Sequence, residues 1–195
     1  KDMYSRVGDD GACPYFWPIG DKHILIHYSH TRGGKYLLGD YDKKRDKFIV
    51  TSGGDCNFGP SQPGGVHAPS AFPDGKGGVI AIFNMNPGYA TKGWNQIMTL
   101  PRRLTLVGTD ELAIEPAGAI ESLRHDHRRI EAMKLPANEE IVLKDICGKS
   151  MEIVAEIETR GAPMVEMNVL RSPGKEEHTR IAFFRDRGYR SRHPA

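Results

Sequence analysis

The feature that most limits what this chain can fold into is its rhythm. Short runs rich in β-branched and aromatic residues alternate with clusters of Gly, Asp and Lys. The runs are His23–Tyr28, Lys35–Tyr41, Lys47–Thr51, Gly78–Met85, Gln96–Leu100, Arg103–Val107 and Glu111–Glu115. Between them lie turn signals at Thr31-Arg32-Gly33-Gly34, Tyr41-Asp42-Lys43-Lys44, Ser52-Gly53-Gly54-Asp55 and Pro73-Asp74-Gly75-Lys76-Gly77-Gly78. Strands this short, spaced this evenly, predict an all-β sandwich, barrel or propeller.

The pattern changes after Glu115. Residues Gly118–Met133 carry Ile120, Leu123, Ile130 and Met133 among charges, which suits a helix of one or two turns, and Pro136 ends it. The expected organisation is therefore a first β domain over 1–122, a linker with a short helix over 123–137, and a second β domain over 138–195. In the second, Glu140–Ile146, Met151–Glu158, Met164–Arg171 and Thr179–Arg185 read as strands. Ile153, Ala155 and Ile157 alternate there with Glu152, Glu156 and Glu158, as on a sheet with one wet face. Four strands begin a β-sandwich without completing it, and the chain reads as truncated at both ends.

Composition excludes several functions. A formal net charge of +2 is too small to argue for nucleic acid, and the basic cluster Arg185, Arg187, Arg190 and Arg192 reads as a solvated tail. No apolar run approaches the roughly 18–20 residues that span a bilayer, so no membrane is expected, and the first ten residues hold no apolar signal-peptide segment. Cys13, Cys56 and Cys147 are odd in number and widely spaced, which provides neither a disulfide framework nor a zinc site. Reduced thiols and a cytoplasmic setting are favoured.

The chemistry-bearing residues concentrate near the start. Residues 9–20, DDGACPYFWPIG, place Tyr15, Phe16 and Trp17 behind Asp9 and Asp10. In a strand Tyr15 and Trp17 share a face. They suit either a wall that stacks on sugar rings or ordinary core packing. The spacing of His23, His27 and His30 invites a metal reading, but His23 and His27, on one strand face, would stand roughly 13 Å apart at 3.3 Å per residue, too far to share an ion. His125-Asp126-His127 lacks a third ligand, so no metal is expected. His67 follows a glycine-rich loop (Gly59 to Gly65), where side chains often reach a site. Asn84-Met85-Asn86-Pro87 and Gly93-Trp94-Asn95-Gln96 place amides and an indole at strand ends, suited to hydroxyl recognition or to turns.

In order along the chain, CPYFWPIGDKHILIHYS, YLLGDYD, GGVHAPSAFPDGKGGVIAIFNM, GWNQIMTLPRRLTLV and ELAIEPAGAIESLR resemble glycoside hydrolase family 32, the β-fructosidases, over about residues 10–124. The MTLPRRLTL run with its trailing EP…LR is the most specific part. The resemblance implies part of a five-bladed propeller, about its third to fifth blades, followed by the start of a C-terminal sandwich. It implies hydrolysis of fructosides (sucrose, fructan or phosphorylated sucrose) through a retaining two-carboxylate scheme in the whole protein, without a cofactor. The family's aspartate nucleophile and second aspartate sit in NDP and RDP motifs, which this sequence does not contain. Its general acid is a glutamate just before Cys-Pro, and that position is Ala12. A Tyr-Ala pair of the family is here His67-Ala68.

An alanine cannot protonate a leaving oxygen. Asp10 is the nearest carboxylate and the expected substitute acid, with Tyr15, Trp17, His67, Asn84 and Trp94 as sugar contacts. By itself the chain is expected to be inactive and to self-associate through exposed strand edges. The competing reading is a carbohydrate-binding propeller whose chemistry is altered or lost.

Overall fold

The structure is a computed structural model that describes residues 4–56, 65–85 and 92–186. The glycine-rich loop at 59–64, Asn86-Pro87 and the basic residues Arg187, Arg190 and Arg192 lie outside those residues. The chain divides into two units, Lys1–Leu123 and Arg124–Ala195, and the described residues are almost wholly strand, turn and extended chain.

The first unit holds two antiparallel sheets. One is a four-stranded meander of β1 (Ala12–Ile19), β2 (Lys22–Ser29), β3 (Gly33–Asp42) and β4 (Lys47–Asp55), in that spatial order. The other runs β5 (Val66–Pro73), β6 (Val79–Met85), β8 (Arg102–Val107) and β9 (Glu111–Pro116), with the two-residue β7 (Ile97–Met98) paired to β6. Side chains alternate along the strands apart from the register slips at Ala12/Tyr15, Leu38/Gly39 and His67/Ser70. On β2, Ile24, Ile26 and Tyr28 turn to one side. There Ile24, Ile26, Ile19 and Leu38 meet Val66, Ala71, Val79, Ala81, Phe83 and Leu104 of the second sheet in one apolar core. β5 is the strand that touches β1, β2 and β3. Phe83, 1% exposed, is covered over its ring face by Arg102, whose guanidinium carbon stands 5.4 Å from the ring centre and whose Nη1 donates to the Cys56 carbonyl at 2.7 Å.

The far face of the first sheet carries its own cluster. Phe16 stacks on His23 with ring centres 5.2 Å apart and meets Tyr41 and Phe48 edge-on at 5.4 and 5.0 Å. Burial lowers the pKa of His23, so it sits there as a neutral aromatic ring.

Three expectations are corrected. Ser52–Asp55 is not a turn but the end of β4. Its glycines serve close approach: a Cβ on Gly53 would lie 2.8 Å from the Tyr36 carbonyl oxygen, and one on Gly54 would lie 3.0 Å from the Tyr36 hydroxyl. In the second unit, 140–146 and 151–158 form no strands. The described strands are β10 (Met164–Val169) and β11 (Thr179–Phe184), which pair as an isolated ribbon. The alternation nonetheless has a physical meaning. Ile153, Ala155 and Ile157 face Val165, Met167, Ile181 and Phe183 of the ribbon across an open groove of about 440 Å³. The side chains found an apolar face, but a ladder needs a neighbouring edge at hydrogen-bond distance, and the ribbon offers its face instead. The expected helix is one 3-10 turn, Ile120–Leu123, without a buried residue.

Candidate active site

Two bulges build the site. In β1 the register slips between Ala12 and Tyr15, and in β5 between His67 and Ser70. Each slip carries a non-glycine residue with positive φ, Cys13 at 48° and Ala68 at 40°, followed by a proline, Pro14 or Pro69. Proline has no N–H for the ladder, so a bulge is the place a strand tolerates it. Bulges re-aim the side chains beside them. The two sheets thus present the same device at the same end: Ala12 opposite Tyr28 in one, His67 opposite Asn84 in the other.

These residues come together. The Tyr28 and His67 rings stack with centres 5.5 Å apart and planes at 26°. The Tyr28 hydroxyl lies 2.8 Å from His30 Nε2. His30 then binds Asp10 twice, its ring Nδ1 meeting one carboxylate oxygen and its backbone N–H donating to the other at 3.1 Å. The hydrogen bond from the His30 ring, joined by the one from its backbone, holds the Asp10 carboxyl below its ordinary value. Burial raises the pKa of the Tyr28 hydroxyl, which stays protonated at neutral pH. Next to Asp10, Asp9 anchors the turn. Burial alone would raise its pKa, but the Arg6 N–H, the Ser29 hydroxyl and the Arg32 guanidinium outweigh it and keep it ionised. Asn84 Nδ2 donates to Gln96 Oε1, which ties the second sheet's corner to the chain entering β7.

Of the residues singled out in the sequence, Asp10, Ala12, His67 and Asn84 gather at this corner. Tyr15 and Trp17 pack against the core, and the Trp17 indole N–H donates to the Ala71 carbonyl at 2.9 Å. Trp94 is half exposed, two residues before Gln96. Tyr28 was missed, and His30 was weighed only as a metal ligand. Their signal was the two-residue spacing in a strand ending, which puts both side chains on one side, together with the repeated residue-Pro pairs at Cys13-Pro14 and Ala68-Pro69. Chemically the corner offers an ionised carboxylate, an imidazole and a phenol in series, and a second imidazole stacked on the phenol. Among the described residues no group of three or more His, Cys, Asp or Glu side chains could hold a metal ion.

No family model matches the chain. The cell wall isozyme of β-fructofuranosidase from pea, Pisum sativum, is 28% identical over 57% of this chain, and the chain spans about a quarter of that relative's length, 25%. Similar solved structures include the Bombyx mori GH32 β-fructofuranosidase BmSUC1, 23% identical over 60% of this chain and 27% of that one, with a TM-score of 0.49. A glycoside hydrolase family 32 structure from Bifidobacterium adolescentis is 20% identical over 57% of this chain and 19% of its own, with a TM-score of 0.47. The resemblance to the β-fructosidases of glycoside hydrolase family 32 is thus borne out, since the chain is similar over more than half its length to a curated β-fructofuranosidase.

Proposed function

We propose that this chain is the sugar-facing part of a β-fructosidase-like protein, and that the whole protein acts on fructosides such as sucrose, fructan or phosphorylated sucrose. The observation that carries the reading is the likeness to the pea β-fructofuranosidase. The fold is in keeping with it: a four-stranded antiparallel meander followed by a second antiparallel sheet, β5-β6-β8-β9 with the short β7 beside β6, sharing one core, is what two neighbouring propeller blades provide. In this reading His67 and Asn84 contact the sugar and Trp94 flanks it. Tyr15 and Trp17 back the site from the core side. The reaction is O-glycoside hydrolysis by the retaining carboxylate scheme, with the nucleophile supplied by another part of the protein.

A second reading, a carbohydrate-binding propeller with altered or lost chemistry, is favoured by one specific feature. Ala12 stands where the resemblance places the general acid, and Asp10, held ionised by His30, accepts hydrogen bonds instead of donating a proton. One experiment separates the two: turnover of sucrose, inulin, levan and an aryl fructofuranoside by the protein in full, beside its Ala12→Glu variant. General acid help is worth about 10²–10⁴-fold, so a hydrolase scaffold gains turnover of that order in the variant. Fructoside binding with no turnover in either protein makes it a binding module. No binding and no turnover refutes both readings.

A further inference from the structure

We propose that the loop closing the β10–β11 ribbon builds a binding site for inorganic phosphate, chosen as a small oxyanion that also carries an O–H. The site lies wholly in the second unit and does not depend on the fructoside reading. The antiparallel register sorts the ribbon's side chains onto two faces. Val165, Met167, Ile181 and Phe183 line the apolar groove, and Glu166, Asn168 and Arg180 take the opposite, polar face. At the loop end of the ribbon a cavity of about 190 Å³ is lined by Glu140, Asn168, Arg171, Lys175 and His178. The loop that carries its cations is closed on itself. The Ser172 N–H donates to the Glu177 carbonyl at 2.8 Å, the Lys175 N–H to the Ser172 carbonyl at 3.1 Å, and the Glu177 N–H to the Ser172 hydroxyl at 3.1 Å.

Charge and unpaired atoms point to the same ligand. Glu140 bonds Lys175 and stands 3.4 Å from Arg171 Nε. The Lys175 hydrogen bond outweighs burial and holds the Glu140 pKa below the ordinary glutamate value, so this carboxylate is ionised. Arg171 and Lys175 against Glu140 leave the lining with a net charge of +1 before any charge on His178 is counted. Two polar atoms of the lining, Arg171 Nε and Asn168 Oδ1, are buried and have no hydrogen-bond partner in the protein. Asn168 Nδ2 already donates to Glu166 at 3.1 Å, and Glu166 also binds Arg180 Nε at 2.5 Å. Buried polar atoms are paired in the great majority of native sites. A partner for both must accept from a guanidinium and donate to an amide oxygen. Sulfate only accepts, and water serves both but leaves the charge uncompensated. Phosphate near neutral pH keeps an O–H beside its charged oxygens and meets every demand. The cavity is also smaller than the roughly 300–1,000 Å³ of pockets for drug-sized ligands, which suits an ion.

Isothermal titration of the full chain with sodium phosphate and with sodium sulfate, at pH 7 and fixed ionic strength, tests this. The native chain binds phosphate more tightly than sulfate, and phosphate shifts the His178 ring signals in 1H–13C spectra. Arg171→Gln weakens phosphate binding by about tenfold or more, the worth of a charged hydrogen bond. Asn168→Ala brings phosphate down to the sulfate level. Glu140→Gln raises the net charge of the lining and tightens phosphate binding by about 3- to 10-fold, a gain that misfolding does not mimic. Circular dichroism checks the folding of each variant. No heat and no His178 shift with phosphate in the native chain overturns the site. Phosphate binding that a folded Arg171→Gln leaves unchanged overturns its placement. Sulfate bound as tightly as phosphate overturns the role of Asn168 and, with it, the ion assigned here. Where Arg171→Gln does not fold, the Glu140→Gln titration decides, and phosphate bound no more tightly than in the native chain overturns the proposal.

Discussion

Trp17 is the residue on which two readings of the opening aromatic stretch divide, and its replacement by Phe tells them apart. The indole packs against the core between the sheets, meets Phe72 edge-on at 5.3 Å and donates its N–H to the Ala71 carbonyl at 2.9 Å. That bond spans β1 to β5 and so fastens one sheet to the other. Phenylalanine keeps a ring against Phe72 but has no donor. The lost hydrogen bond is worth about 0.5–1.5 kcal/mol. The smaller ring also buries on the order of 40 Å² less apolar surface, about 1 kcal/mol at the usual ~25 cal/mol per Å². Together Trp17→Phe destabilises the first unit by about 1.5–2.5 kcal/mol. For a unit of this size each kcal/mol moves Tm by roughly 3–6 °C, so the melt falls by about 5–15 °C. Circular dichroism melting measures it. The sequence has 2 tryptophans, which supplies the control. Trp94, 49% exposed, costs no more than about 0.5 kcal/mol as Trp94→Phe, and the remaining Trp17 fluorescence is then blue-shifted and poorly quenched. A Trp17→Phe protein that melts within about 2 °C of native but loses fructoside affinity refutes the argument, because the ring would then face the sugar and not the core.

Two further predictions follow from titrating groups. Asp74 accepts from Arg103 Nε at 2.7 Å and from the Lys76 and Gly78 N–H groups at 2.7 and 2.8 Å, and the guanidinium first, then these amides, hold its pKa at about 2. Its folded pKa is below the unfolded one, so its stabilisation is complete above the ordinary aspartate value and is lost as pH falls from there through about 2. Urea midpoints measured from pH 5 to pH 2.5 therefore decline, and the decline is shallower in Asp74→Asn; equal slopes would remove Asp74 from the acid transition. Cys56 is 1% exposed and burial pushes its thiol up to about 12, whereas Cys13 and Cys147 are exposed. At pH 8 a thiol reagent should label two cysteines in the native chain and the third only on unfolding; rapid labelling of all three would mean the core around Cys56 opens.

Most of the first unit was legible because its signals are local. A strand with one buried face writes its alternation into the sequence, and β2, β3, β6, β8 and β9 lie where that alternation falls. Gly53 and Gly54 misled for a local reason too: glycine marks turns, but it also marks places where other atoms come close, and here those are the Tyr36 carbonyl at Gly53 and the Tyr36 ring at Gly54, on the neighbouring strand and in no turn at all. The stretch 151–158 misled differently. Its alternation correctly told which side chains face an apolar surface, but alternation is a statement about faces and not about hydrogen-bonded edges. The site was legible only in part. Ala12, His67 and Asn84 were found from a resemblance and from their places at strand ends. The Asp10–His30–Tyr28 series depends on a turn that brings residue 30 back over residue 10, a contact that no periodicity encodes.

The bulges bear most directly on what the site is for. Holding Cys13 at φ 48° and Ala68 at φ 40° costs each strand of order 1 kcal/mol or more, and each bulge gives up ladder hydrogen bonds besides. A purely structural strand gains nothing from this, because a regular β1 and β5 would pair and bury better. Both distortions sit at the same end of the unit, one just after Ala12 in the first sheet and the other just after His67 in the second. The backbone bulge beside position 12 is therefore present, and the side chain there is the methyl group of Ala12. What remains in reach is the phenol of Tyr28 directly across the ladder, already coupled to an imidazole and a carboxylate. On the reading proposed above, in which Ala12 stands at the general acid's place, a strained corner that still holds a phenol, an imidazole and a carboxylate in series fits altered acid–base chemistry better than simple decay of the site.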